Sequence, residues 1–126
     1  MRAEIKRADP SQEFKTPERC WILEVANDEG DEDVSISQAR VSPNVTTEWH
    51  ELRDTDERYV IVSGYGVMDM GGLPSTDLRP GDVVRIPANT PQRVTNTGQD
   101  DLIFYCVCTP RFRPHCYVSR ADLDAS

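Results

Sequence analysis

The sequence has little that would place the chain in a membrane, on nucleic acid or in a disulfide framework. No apolar run approaches the about 20 residues that span a bilayer, which excludes a membrane span, and we expect no membrane partner. The formal net charge of −8 argues against nucleic acid, because proteins that bind phosphate backbones present a basic face. Four cysteines in 126 residues are too few for a disulfide framework, so we expect reduced thiols and a cytoplasmic protein.

The beginning of the chain also lacks an apolar segment, and we therefore expect no secretory signal. Residues 1–19 are polar and include Pro10 and Pro17, which predicts an N-terminal arm without a core of its own. Residues 20–126 are then one folded domain, because a chain of this length fits a single domain with a modest core. No internal repeat and no second boundary interrupts it.

Short β-type runs separated by turn signals follow from Cys20 onward, at spacings of roughly 8 to 12 residues. Only the tail, residues 119–126, hints at a helical period. The pattern predicts an all-β fold, an antiparallel sandwich or barrel. The runs cover residues 20–25, 34–41, 46–52, 57–62, 67–70, 82–87, 92–96 and 101–108.

The stretch TEWHELRDTDERYVIVSGYG, residues 47–66, places His50 seven residues before Glu57. Alternate residues of a strand share a face, so a hairpin turning at RDTD would bring these two side chains together. An imidazole beside a carboxylate suits Fe, Mn, Ni, Co or Zn, but it equally suits a hydrogen-bonded pair in a metal-free pocket. Further positions predicted to face the same cavity are Leu52, Tyr59 and Ile61.

The order of residues in this stretch resembles the first motif of the small single-domain cupins. That motif carries His-x-His, then four residues, then Glu, and closes on a glycine. His50, Glu57 and Gly64 fall on it.

A second stretch, GDVVRIPANTPQRVTN at residues 81–96, resembles the second cupin motif. That motif is Gly, five residues, Pro-x-Gly, two residues, His, three residues and Asn, and Gly81, Pro87 and Asn96 match it. The resemblance extends over about residues 34–110. It implies a cupin-like jelly roll, an antiparallel β-barrel made of two sheets.

Three positions depart from the cupin motifs. Leu52 stands where the family has its second histidine, Asn89 replaces a glycine, and Gln92 replaces the histidine of the second motif. The resemblance therefore implies a reduced metal set of His50, Glu57 and Gln92, with Gln92 supplying a weak carbonyl oxygen. Such a set would leave positions open for water or substrate.

The resemblance implies two functional classes. In the first, the barrel binds a divalent transition metal and a small oxygenated substrate, as an isomerase, a dioxygenase or a lyase. In the second, it binds a small molecule without a metal and without catalysis. Because small cupins often pair and sheet edges need covering, we also expect a homodimer, with the arm 1–19 lying over the partner.

Overall fold

The computed structural model describes residues 1–125 and confirms the all-β prediction. Its helices are short 3-10 turns, and none of those in the described residues has the length and apolar character needed to cross a bilayer. The strands are β1 (Phe14–Lys15), β2 (Trp21–Ala26), β3 (Ser35–Val41), β4 (His50–Leu52), β5 (Asp56–Ser63), β6 (Gly66–Met70), β7 (Thr76–Leu78), β8 (Val83–Ile86), β9 (Gln92–Asn96), β10 (Leu102–Thr109) and β11 (Tyr117–Ser119).

The strands form two antiparallel sheets that face each other. One has the order β1-β2-β3-β10-β5-β8, and the other has the order β11-β4-β9-β6-β7. Buried and exposed residues alternate along β9 and β10, as the period of two residues in a half-buried strand requires. The inward side chains form a main core, in which Val41, Ile61 and Leu102 are at most 2% exposed. A smaller cluster contains Leu52, Cys108 and Cys116.

Three strands and one boundary were not predicted. β1 has two residues and lies in the arm, where no apolar run is present. β7 and β11 have three residues each and lie beside turns, so neither shows a run long enough to display alternation. The predicted strand at 46–52 is reduced to β4, because Thr46 makes only an isolated bridge to Thr95. In the tail, Ala121–Ala125 form a 3-10 helix, and residue 126 lies outside the described residues.

The predicted hairpin between His50 and Glu57 is wrong. β4 pairs with β9 and β11 in the five-stranded sheet, whereas β5 pairs with β8 and β10 in the six-stranded sheet. The chain therefore crosses between sheets at the turn after Leu52, where Asp54 adopts a left-handed φ of 54°. His50 and Glu57 approach each other across the barrel instead of along one sheet.

The end of the N-terminal arm packs against its own barrel. β1 pairs with β2, and the backbone N–H of Thr16 donates to the carbonyl of Cys20 at 2.9 Å. Further out, the Lys6 ammonium lies 2.5 Å from a carboxylate oxygen of Asp28. The arm thus covers an edge of its own sheet, and the predicted homodimer stays a prediction.

We expect Gly64→Ala to destabilise the fold more than Gly72→Ala does. Both glycines have a left-handed φ, of 87° and 86°, so both alanines carry the backbone cost of about 1 to 2 kcal/mol. A Cβ at Gly64 would also lie 2.6 Å from the carbonyl oxygen of Asp101, whereas a Cβ at Gly72 meets nothing within 4 Å. Urea unfolding should show about 1 to 3 kcal/mol of extra loss for Gly64→Ala, the usual range for forced contacts.

Equal losses at the two glycines would contradict the close approach of β5 to the start of β10.

Candidate functional site

A cavity of about 500 Å³ opens between the two sheets at one end of the barrel. Its volume lies in the range of small-molecule sites, which are mostly apolar with a few convergent polar groups. Both sheets contribute to it, and so do the end of the arm and the loop after β10. Its apolar walls include Ile22, Leu52, Val94, Phe104 and Phe112.

His50 and Glu57 both line this cavity, one from each sheet, and they are only 4% and 7% exposed. The His50 Nδ1 lies 2.8 Å from the carbonyl oxygen of Glu48, which can only accept, so Nδ1 carries a hydrogen. The ring also stacks on Tyr117 with 4.9 Å between centroids. Its Nε2 has no hydrogen-bond partner among the described residues, and in the neutral ring that atom holds the lone pair.

Glu57 is held by a short chain of hydrogen bonds. The amide Nε2 of Gln92 donates to Glu57 Oε1 at 3.1 Å, and the Tyr59 hydroxyl donates to Gln92 Oε1 at 2.6 Å. Burial raises the pKa of Glu57 to about 7, and the nearby carboxylate of Glu18 acts in the same direction, while charge on His50 and the Gln92 hydrogen bond oppose it. Glu57 is therefore an acid–base group with a pKa near neutral pH.

The other predicted cavity positions divide into two groups. Leu52 and Tyr59 line the cavity. Ile61 does not: it is 2% exposed and packs in the core between the sheets. Gln92, opposite His50 on the neighbouring strand, is 1% exposed and lies behind the cavity wall, where it contacts Glu57 and Tyr59.

Asn89 keeps the backbone shape for which the second motif uses glycine. Its φ is 65°, in the left-handed region that asparagine tolerates better than most residues. Its N–H donates to the carbonyl of Leu52 at 2.9 Å, and its side chain accepts from the N–H of Asp54 at 3.1 Å. The substitution therefore preserves the loop that fixes the end of β4 beside the cavity.

The side chains at this site do not fit a metal centre as they are arranged. The Gln92 carbonyl oxygen, the atom that would ligate, accepts from Tyr59, and its NH₂ group faces Glu57. Leu52 has no ligating atom, and the described residues contain no group of three His, Cys, Asp or Glu side chains that could hold an ion. The set His50, Glu57 and Gln92 stays a prediction, which metal titration can test.

Sequence patterns missed Glu18, which reaches the cavity from the arm. Its Oε2 lies 3.5 Å from His50 Nδ1, and its Oε1 accepts from the thiol of Cys20 at 3.2 Å. Its backbone carbonyl accepts from the N–H of Glu48, which attaches the arm to the segment before β4. No local pattern identifies such a residue, because its contacts in β4 and the segment before it, His50 and Glu48, are 32 and 30 positions away in sequence.

The cavity is also lined by thiols. Cys20, Cys106 and Cys108 contribute to its surface, and all four cysteines of the chain are free and buried. Burial raises the pKa of each of the three lining thiols, and the Glu57 carboxylate adds to the effect. They are therefore protonated at neutral pH and act as small apolar groups instead of nucleophiles.

Comparison with known families and proteins agrees with this architecture. The family model described as a cupin domain matches residues 38–108. An uncharacterized protein of Methanocaldococcus jannaschii is 28% identical over 78 residues. That match spans 62% of this chain and 62% of the relative.

Three solved structures illustrate the shared fold. KdgF from Halomonas sp. has a TM-score of 0.75 at 16% identity, over 86% of this chain and 96% of that one. Pac13, a nucleoside dehydratase, has a TM-score of 0.73 at 12% identity, over 92% and 91%, and a Streptomyces variant of it was solved with uridine. Oxalate decarboxylase from Bacillus subtilis, with Mn(II) centres, has a TM-score of 0.76 at 20% identity, over 88% and 30%.

Proposed function

Because this chain belongs to the cupin domain family, we propose that it binds a small molecule in the cavity between its sheets and acts on it by proton transfer. One observation carries the proposal: a carboxyl group and an imidazole, both buried, line the same cavity from opposite sheets. Such a pair can remove a proton from one atom of a ligand and supply one to another.

Glu57 is the base in this scheme. Its pKa near 7 gives it both protonation states close to neutral pH, which is the range in which general acid–base groups work best. Gln92 and Tyr59 are positioning residues, because they fix the carboxyl oxygen Oε1. The thiol of Cys106 also hydrogen-bonds to the carboxyl group, and that of Cys108 lies 3.8 Å from Oε2. We take Oε2, which Gln92 does not contact, as the oxygen that receives a ligand proton.

His50 is the second polar contact for the ligand. Its Nδ1–H is committed to the carbonyl of Glu48, so the ring presents Nε2 as the atom that binds the ligand or exchanges a proton with it. A base and a second proton carrier together suit an elimination or an isomerisation. Dehydratase and lyase activities, named for Pac13 and for the DMSP lyases of similar fold, are reactions of the first kind.

Deuterium exchange tests the proposal without knowledge of the natural substrate. Small hydroxyketones, aminoketones and nucleosides are incubated with the protein in D₂O, and proton NMR records loss of signal at carbon. We expect catalysed exchange for at least one compound, and a fall of about 100-fold or more in Glu57→Gln, the range for loss of a general base.

Glu29→Gln is the matched control, because Glu29 is an exposed carboxylate outside the cavity. Undiminished exchange in Glu57→Gln would contradict the role given to Glu57. Compounds that bind the cavity without any exchange would favour the second class, a cupin that binds a small molecule without catalysis.

A further inference from the structure

Charge is distributed unevenly among the side chains that line the cavity. Three carboxylates are present, those of Glu18, Glu24 and Glu57, and the lining contains no lysine and no arginine within residues 1–125. His50 is the one side chain there that can become cationic. Its Nδ1–H lies against the Glu48 carbonyl and 3.5 Å from Glu18, so a proton on this ring already has acceptors within the chain.

Hydrogen-bond donors in the lining are mostly engaged. Four of the hydroxyl groups that line the cavity donate to other groups of the chain, and the two serines, Ser35 and Ser37, are the exceptions. The carboxylates, by contrast, accept at several positions and have further capacity. The engaged donors are Tyr59 to Gln92, Tyr117 to Glu48, Thr16 to the Cys20 carbonyl and Thr47 to the Val94 carbonyl.

Aromatic rings complete the walls. Phe14, Phe104, Phe112 and Tyr117 all line the cavity, and their faces attract cations more than anions because of the ring quadrupole. An anionic ligand would meet carboxylates and ring faces with no cationic partner, and an unpaired buried charge is costly. A cationic ligand would meet carboxylate oxygens that carry negative charge and ring faces that attract cations.

From this cavity we infer a preference for a small organic cation, an ammonium group on a compact apolar or aromatic body, over a carboxylate of the same shape. The inference rests on the proposed function in one respect, that the cavity binds a ligand. It names the class of that ligand. The ammonium would lie between Glu18 and Glu57, and the apolar body would contact the phenylalanines.

Three probes of one shape test the charge preference. Benzylammonium, benzyl alcohol and benzoate differ mainly in charge, and each is titrated into the full-length protein by calorimetry at about pH 8. We expect benzylammonium to bind at least about tenfold more tightly than benzoate, equivalent to about 1.4 kcal/mol, with benzyl alcohol between them.

Two variants separate the cavity from the general charge of the protein, whose net charge of −8 attracts any cation. Glu18→Gln should lower the benzylammonium affinity by about fivefold or more, whereas Glu29→Gln, which removes the same charge from an exposed position outside the cavity, should change it less than about twofold. Glu24→Gln at the mouth is a second test that leaves the buried cluster intact, and it too should weaken benzylammonium more than Glu29→Gln does.

Equal binding of the three probes, tighter binding of benzoate, no binding of any probe, or an equal effect of Glu18→Gln and Glu29→Gln would overturn the inference. These results are distinct from a failure of the proposed function. Benzylammonium binding with no deuterium exchange would remove the catalytic proposal and support the charge preference. Deuterium exchange with neutral ketones, together with equal binding of the three probes, would support the catalytic proposal and remove the charge preference.

Discussion

We expect Glu57→Gln to raise the stability of the protein at about pH 8, although it removes the side chain given the central chemical role. Burial raises the pKa of Glu57 to about 7 from an ordinary value of 4.5, so folding favours the neutral acid. Below 4.5 the carboxyl group is protonated in both the folded and the unfolded chain, and it then contributes no pH dependence. Between 4.5 and about 7 the unfolded chain ionises while the folded protein keeps its buried proton, so stability falls as pH rises through this interval and levels off above about 7.

The expected size of the effect follows from the shift. A pKa displaced from 4.5 to about 7 corresponds to roughly 3 kcal/mol of lost stability at about pH 8. Glutamine has nearly the same shape and no charge, so the variant lacks this loss. Urea unfolding at about pH 5 and about pH 8 should show the advantage of Glu57→Gln growing by about 2 kcal/mol between the two.

Glu29→Gln is again the control, since Glu29 is exposed and lies outside the cavity. Its stability relative to the unmodified protein should not change with pH by more than a few tenths of a kcal/mol, as is usual for exposed groups. The stability difference between Glu57→Gln and the unmodified protein could instead stay constant from about pH 5 to about pH 8. That result would mean that the Glu57 charge is compensated in the folded state.

The double variant Leu52→His with Gln92→His should bind a divalent transition metal at least about tenfold more tightly than the unmodified protein, equivalent to about 1.4 kcal/mol. Leu52 lines the cavity two residues from His50, and Gln92 lies opposite His50 and against Glu57. Two imidazoles would therefore join the two groups able to ligate. The gain should be larger for Ni or Zn than for Mn, following the general order of affinities.

Isothermal titration of the metal ions checks this result. The affinity should fade below about pH 6, because a ligating imidazole must be neutral and its ordinary pKa is about 6.5. His50→Ala should abolish binding in the double variant, and the matched pair Leu52→Asn with Gln92→Asn changes the same positions without adding an imidazole. A folded double variant that binds metal no better than this asparagine pair would show that the two positions do not converge on His50.

Local patterns predicted the fold well because most strands are long enough to show alternation. β3, β5, β9 and β10 all lie where the apolar period of two residues placed them. The same alternation does not predict β7 and β11, because three residues beside a turn are too few to show a period. The motif spacing of the cupin resemblance then supplied the arrangement of the two sheets, which alternation alone does not determine.

The site was predictable only in part, for a related reason. His50 and Glu57 both line one cavity, but the sequence placed them on one hairpin, since the strand pattern does not reveal that the chain changes sheets after Leu52. Gln92 lies beside Glu57 and presents its amide nitrogen there, an orientation set by the Tyr59 hydroxyl. The position of Glu18 in the cavity could not be predicted from the sequence, because it depends on how the arm packs against the barrel.

The edge strands of the two sheets affect the tendency of the folded protein to aggregate. The outermost strands, β1, β8, β7 and β11, have two to four residues each, and three of them carry a charged residue, namely Lys15, Arg85 and Asp77. Short charged edges are poor templates for a strand from another chain, because few backbone groups are free to pair and burying the charge opposes contact. We therefore expect any lasting association of two copies to use surfaces other than these edges, and a concentrated solution of the folded protein should resist fibril growth.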